Sequence, residues 1–167
     1  MDEEAFRRAF RDHKDSVYGF AFRLSGSCAA ADDVTQECFL ELFRNPERFD
    51  PERGTLRNFL FGVARNLALK RWRRENRFQS IEGDGRRLSA GAVPLDAGLA
   101  VEAAMKLLSP LQREAVVLFE YEGLKLEEIA SVTGAEVGTV KSRLSRAREN
   151  LRQSLAPLRG CQRGHGA

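Results

Sequence analysis

The chain has 167 residues, room for one or two small domains with cores of their own, and carries 27 Lys+Arg against 24 Asp+Glu for a net charge of +3, which permits a nucleic-acid partner without demanding one. Three cysteines, Cys28, Cys38 and Cys161, form no CxxC pair, which argues against a disulfide framework and for a reducing compartment, the cytoplasm. No long uninterrupted apolar run and no basic start leading into one is visible, so the chain is expected to be unexported and not inserted in a membrane.

Residues 3–24 read as a helix with an apolar face of Ala5, Phe6, Ala9, Phe10, Val17, Phe20, Ala21 and Leu24, closed by Ser25-Gly26-Ser27. A second helix is expected from Asp32 or Asp33 to about Arg44, its acids suiting the positive end of the helix dipole. Val34, Cys38, Phe39, Leu42 and Phe43 fill one half of its circumference; Asp33, Gln36, Glu37, Glu41 and Arg44 fill the other, with Leu40 in their midst. A single exposed leucine is ordinary, and a leucine ringed by polar groups also fits the apolar centre of a partner contact. Residues 45–54, with two prolines and a glycine, read as an ordered loop. Its Phe49 either plugs the core or, beside Arg48 and Arg53, stacks on an unpaired base.

Thr55 caps a third predicted helix running to about Asn76, with a core stripe of Leu56, Phe59, Leu60, Val63 and Leu67. Its opposite side interleaves Asn58, Phe61, Arg65, Leu69 and Trp72, a pattern that suits single-stranded nucleic acid or a helix packed on two sides. Lys70, Arg71, Arg73, Arg74 and Arg77 continue it as a basic track. Residues 78–97 are rich in Gly, Ser and Ala and are expected to be a flexible linker. A short helix is expected over 99–108, then one opened by Ser109-Pro110, burying Leu111, Ala115, Leu118 and Phe119 and stopped by Gly123.

The stretch over 126–151, LEEIASVTGAEVGTVKSRLSRARENL, reads as a helix-turn-helix about Gly134. Ile129 and Val132 face inward from the first helix; Val140, Leu144, Ala147 and Leu151 make the buried stripe of the second. That leaves Gly138, Ser142, Ser145 and Arg146 outward, with Thr139 and Lys141 on the shoulders: small residues for close approach, then hydroxyls and cations for phosphates and base edges. A plain helical hairpin with a basic solvated side fits the same composition. The tail over 157–167 is expected to fray, and its Cys161 and His165 fall short of a metal site.

Three stretches carry a resemblance to one family. DDVTQECFLELFR over 32–44, FDPERGTLRNFLFGVARNLALKRWRR over 49–74 and LSPLQREAVVLFEYEGLKLEEIASVTGAEVGTVKSRLSRARENLR over 108–152 resemble, in this order, the conserved regions of bacterial extracytoplasmic-function sigma factors. The resemblance implies an all-α chain of two small helical domains joined by a flexible linker. A core-polymerase and minus-ten domain would span 1–77, the linker 78–97, a helix-turn-helix domain for the minus-thirty-five element 98–156, and a tail 157–167. It implies docking on core RNA polymerase through Asp33, Gln36, Glu37 and Leu40. It implies minus-ten recognition and capture of a flipped base through Phe49, Asp50, Asn58, Arg65 and Asn66, and minus-thirty-five recognition through Thr139, Lys141, Ser142, Ser145 and Arg146. An anti-sigma factor is a further implied partner. Neither an enzymatic activity nor a cofactor nor a metal is expected. The chain departs from the family pattern at Phe59, where many members have Trp, at Lys70, where many have an acid, and at Glu136, which replaces a common Pro. The competing readings are a dimeric helix-turn-helix repressor or activator, and a sigma-like adaptor that binds only proteins.

Overall fold

Asp2 begins the first helix by accepting the Ala5 N–H at 2.7 Å, and Gly26 ends it in the left-handed conformation, φ +68, donating its N–H to Phe22 O, a closure that any side chain would strain. In this computed structural model, which describes residues 1–78, 81, 83 and 96–161, that helix is α1, Glu3–Ser25. Helix α2, Cys28–Arg44, starts earlier than the acids at 32 and 33 suggest. Ser27 is the cap, accepting the Ala30 N–H at 3.3 Å, and the alanines after it are the best helix formers available. Two single 3₁₀ turns, Pro46–Arg48 and Pro51–Arg53, make up the loop. Thr55 then caps α3, Leu56–Glu75, through the Asn58 N–H at 3.1 Å.

These three helices pack on one another around Val17, Phe20 and Ala21 of α1, Val34, Cys38 and Leu42 of α2, and Leu60, Phe61 and Ala64 of α3. Each large apolar side chain buried here contributes on the order of 2 kcal/mol. Phe61, expected on the nucleic-acid side of α3, is instead fully buried, its ring 4.9 Å from that of Phe20. Phe43 departs the other way: it is 60% exposed at the end of α2, edge-on to Phe6 at 5.2 Å.

The second unit comprises α4 (Ala97–Leu107), α5 (Pro110–Val116), α6 (Leu126–Thr133) and α7 (Val137–Cys161). Ser109 caps α5 and Pro110 fills its first position. The helix then widens into a π turn, Val117–Tyr121, where the Glu122 N–H reaches back to Val117 O at 3.0 Å. Every residue from Leu111 to Leu118 is buried, and α7 packs against α4, α5 and α6. Helix α7, Val137–Cys161, contains Pro157. A proline removes one backbone bond, and Leu155 and Leu158 on either side of it are half-buried. The side chain of Cys161 and all of His165 lie outside the described residues, as does most of the expected linker.

The two units touch. Helix α3 lies against α6, and α1 lies against α5 and the π turn. Arg113, buried in α5, joins them: its Nε donates to Met105 O at 2.9 Å, Nη2 to Lys106 O at 2.7 Å and Leu108 O at 3.1 Å, and Nη1 to Leu24 O at 2.7 Å. One cation thus adds a partner to the carbonyls at the end of α4, where Met105 O also accepts the Leu108 N–H at 3.2 Å, and reaches the last turn of α1, where the helix dipole favours positive charge. Burial pushes the Arg113 guanidinium below its ordinary pKa.

Candidate nucleic-acid interface

Gly134, at φ +69, turns the chain between α6 and α7. Thr133 Oγ1 donates to Ile129 O at 2.8 Å and accepts the Ala135 N–H at 3.3 Å, and Val140 N–H donates to Glu136 O at 3.0 Å, so the turn is satisfied from both ends. Val140, Leu144 and Ala147 are buried and Leu151 is half-buried. On the reverse side Thr139, Lys141, Ser142, Ser145 and Arg146 are all exposed to solvent. Lys141, Ser145 and Arg146 line an open depression of about 580 Å³ with Phe119 and Leu126, while Thr139, Ser142 and Arg146 line a smaller one of about 180 Å³ with Ser109 and Gln112. Arg146 is therefore the ridge between two concavities, a position from which a guanidinium can reach base edges. Arg148 lines the larger depression too, paired with Glu120 at 2.9 Å and lying over the Phe119 ring.

The loop and α3 build a second concavity. Asp50 caps the second 3₁₀ turn by accepting the Glu52 N–H at 3.0 Å. Arg48 pairs with Glu41 of α2, anchoring the first. The half-buried Phe49 ring lies 5.7 Å from that of Phe59, with 55° between their planes. Phe49, Asp50, Asn58 and Asn66 line one cavity of about 430 Å³, roofed on one side by Ser131 of α6. Arg65, the fifth residue expected here, points to a different place. Its Nε and Nη2 donate to both Glu114 carboxylate oxygens, at 2.7 and 3.0 Å. That pair is removed from water, the Arg65 side chain 13% and the Glu114 side chain 1% exposed. Burial pushes the Glu114 carboxyl up from its ordinary value, and the Arg65 hydrogen bonds pull against that rise.

Arg65 is one of three such contacts. Arg57 donates to Glu122 at 2.7 Å, and Asn58 Nδ2 donates to Glu128 at 3.1 Å. Glu128 also accepts the Lys125 N–H at 2.8 Å, closing the start of α6; these bonds hold its carboxyl below the ordinary range. The reading of α3 as a helix packed on two sides is the one realised here. None of this is legible from local pattern, because Glu114 lies 49 residues from Arg65 in sequence. The available signal is the Gln112-Arg113-Glu114 run leading into Ala115-Val116-Val117-Leu118-Phe119, a helix with no polar side left for those charges.

Asp33, Gln36, Glu37 and Leu40 are exposed together along α2, Leu40 at 42%. Asp33 accepts from Arg71 at 2.7 Å, which raises the Arg71 pKa, and Glu37 lies 3.5 Å from Arg44. Exposed Phe43, one turn beyond Leu40, extends this apolar centre. Among the described residues no group of three metal-ligating side chains converges, and no helix is long and apolar enough to cross a membrane.

Residues 9–78 match the family model of Sigma-70 region 2, and residues 98–151 that of Sigma-70 region 4. The ECF RNA polymerase sigma factor SigE of Mycolicibacterium smegmatis is 39% identical over 155 residues, covering 87% of this chain; the chain spans 60% of that relative's length. The ECF RNA polymerase sigma factor EcfG of Rhodopseudomonas palustris is 35% identical over 140 residues, covering 81% of this chain and 77% of that one. Among solved structures, the sigma factor RpoE in complex with the anti-sigma factor NepR, from Bartonella quintana, aligns with a TM-score of 0.72 at 26% identity, over 92% of this chain and 98% of that one.

Proposed function

The chain belongs to the extracytoplasmic-function group of sigma-70 factors, and on that premise we propose that it is a non-enzymatic, cytoplasmic specificity subunit that binds core RNA polymerase and directs promoter-specific transcription initiation. The observation that carries this reading is the pairing of two different concave polar surfaces on two helical units. One is a recognition helix whose outer side is Thr139, Lys141, Ser142, Ser145 and Arg146. The other is the cavity of Phe49, Asp50, Asn58 and Asn66. The first suits the major groove of a duplex minus-thirty-five element, where each good base contact discriminates by about 1–3 kcal/mol. The second has the mixed aromatic, amide and carboxylate lining that holds an unstacked minus-ten base. Extracting a base costs a few kcal/mol, and the cavity offsets that cost on the melted strand alone. Asp33, Gln36, Glu37 and Leu40 dock on the polymerase, which performs the chemistry. Joining two modest DNA contacts on one chain raises the local concentration of each for the same promoter.

The structural relative RpoE was solved with an anti-sigma factor, and a regulator of that kind is proposed for this chain too. Run-off transcription is the test. Purified core polymerase plus this chain is expected to start RNA at promoters identified from transcripts induced on overexpression. Transcription equal to core polymerase alone at all of them would refute the reading.

A further inference from the structure

Resting on the function proposed above, we propose that Lys70 is a further promoter-binding residue. It joins the minus-ten cavity to the cations at the end of α3, so that the phosphodiester backbone leaving the captured base runs over Lys70, Arg73, Arg74 and Arg77.

The wall that α3 lends to the 430 Å³ cavity is made at helical spacing by Asn58, Gly62 and Asn66. Lys70 is the next residue on that side, one turn beyond Asn66, and Arg73 and Arg74 follow it at three and four positions. Asn66, Lys70, Arg73 and Arg74 are all exposed, as is Arg77 in the turn after the helix. From Asn66 to Arg74 the helix rises about 12 Å, the axial rise of about three to four nucleotides of one strand. With a base held in the cavity, the phosphates of its neighbours therefore come within reach of these cations.

Two features separate this run from an ordinary solvated basic side. The first is its charge partners. Helix α3 contains a single acid, Glu75. Glu75 and Asp33 of α2 are both taken up by Arg71, at 3.0 and 2.7 Å, about 100° round the helix from Lys70. Lys70, Arg73, Arg74 and Arg77 form no ion pair with any described residue. The second is Phe78, which follows Arg77 and is fully exposed. Unpaired cations with an open aromatic ring among them are the combination on which nucleic-acid strands are held, the cations meeting phosphates and the ring stacking on a base. Lys70 makes the run continuous: without it, about 10 Å of uncharged helix separates Asn66 from Arg73. It is also a position at which this chain departs from its family's pattern, so the continuity belongs to this chain and not to its relatives in general.

The test uses holoenzyme reconstituted from core polymerase and the full chain, titrated with KCl against two fluorescein-labelled probes from a promoter at which it initiates. One probe is the non-template strand across the minus-ten element. The other is the same strand with everything outside that element paired to its complement. Loss of one phosphate contact lowers the slope of log affinity against log salt by about 0.7 on a single strand and about 0.9 on duplex, a five- to eightfold weakening at about 0.1 M salt. Lys70→Ala is expected to show both the shallower slope and the weakening, and Lys70→Arg to keep both near wild type. A loss already present on the single-stranded probe assigns the run to an unpaired strand, and a loss confined to the paired probe assigns it to the flanking duplex; either upholds the phosphate contact. An unaltered slope on both probes, or an equal change in Lys14→Ala, which removes an exposed cation from α1, would overturn it. Initiation by the wild-type chain with unchanged binding by Lys70→Ala removes the role of Lys70 alone, whereas a wild-type chain that neither initiates nor binds removes the function on which it rests.

Discussion

Replacing Arg113 with methionine keeps much of the side-chain volume and removes the cation that four carbonyls share. Those carbonyls belong to Leu24, Met105, Lys106 and Leu108. Hydrogen bonds to a charged donor contribute about 1.5–3 kcal/mol each, which gives a gross loss of roughly 6–12 kcal/mol. Two effects reduce it. Lys106 is exposed, so water can reach the carbonyl there. The guanidinium also no longer has to be buried, a strain already visible in its lowered pKa. The net destabilisation expected is about 3–5 kcal/mol, a large share of the roughly 5–15 kcal/mol typical of a folded domain. Urea unfolding monitored by circular dichroism should show a midpoint lower by about 2 M, for a slope near 2 kcal/mol per M. Arg113→Lys should fall between the two, because an ammonium on a flexible stem cannot span four acceptors as a planar fork does. A methionine variant melting within about 0.3 M of the wild type would show that the carbonyls find other partners and that the fork organises nothing.

Leu40→Ala should weaken binding to core polymerase about tenfold in an anisotropy competition while leaving the urea midpoint unchanged, since the side chain is already 42% exposed; a lowered midpoint with unchanged binding would place Leu40 in the core instead. Arg146→Ala should relax preference at one position of the minus-thirty-five element in a promoter-library selection, whereas a uniform loss on every sequence would make Arg146 a phosphate contact. With Cys161 replaced by serine, iodoacetamide at neutral pH should modify exposed Cys28 and spare Cys38, which is buried, donates to Leu60 O at 3.4 Å and has its pKa pushed up to about 12. Because the folded value lies above the ordinary 9.0, the Cys38 thiol supports the fold fully below 9.0 and loses that support as pH rises toward 12; comparable labelling of both cysteines in peptide-resolved mass spectrometry would contradict this. Glu128→Ala should cost about 1 kcal/mol at neutral pH. Its carboxyl sits below the ordinary 4.5, so the contribution is complete above that value and disappears as pH falls through the depressed one; a wild-type-to-variant gap that stayed constant into acid would argue against the carboxylate's role.

Local pattern carries the helices and the recognition helix well. Thr55 and the Ser109-Pro110 pair announce their helix starts because a cap is a short-range contact. Helical period alone sorts Val140, Leu144 and Ala147 from Thr139, Ser142 and Ser145, because one side of that helix packs and the other meets solvent. The start of α2 is harder to place, since acids at 32 and 33 compete as signals with Ser27, the actual cap. Phe43 and Phe61 exchange their expected environments for a non-local reason: which aromatic is covered depends on where α1 crosses α2 and α3, with Phe20 meeting Phe61 and Phe6 reaching Phe43. At the candidate site, Phe49, Asp50, Asn58 and Asn66 do share one cavity. The destination of Arg65 is decided by a carboxylate from the other domain, which no window of neighbouring residues contains.

The wide turn at Val117–Tyr121 is a matter of phase. One surplus residue rotates the downstream side chains by about 100° relative to an unbroken α-helix. In the resulting register Glu120 is delivered to Arg148 on α7, and Glu122, two positions on, to Arg23 and Arg57 of the other domain. The address of each charge is therefore written in the winding of the backbone and not only in the identity of the side chain. Deleting a single residue from this turn would leave every ionisable group in place and still redirect them all, so evolution can retune how the halves of this molecule meet by changing a count instead of a charge.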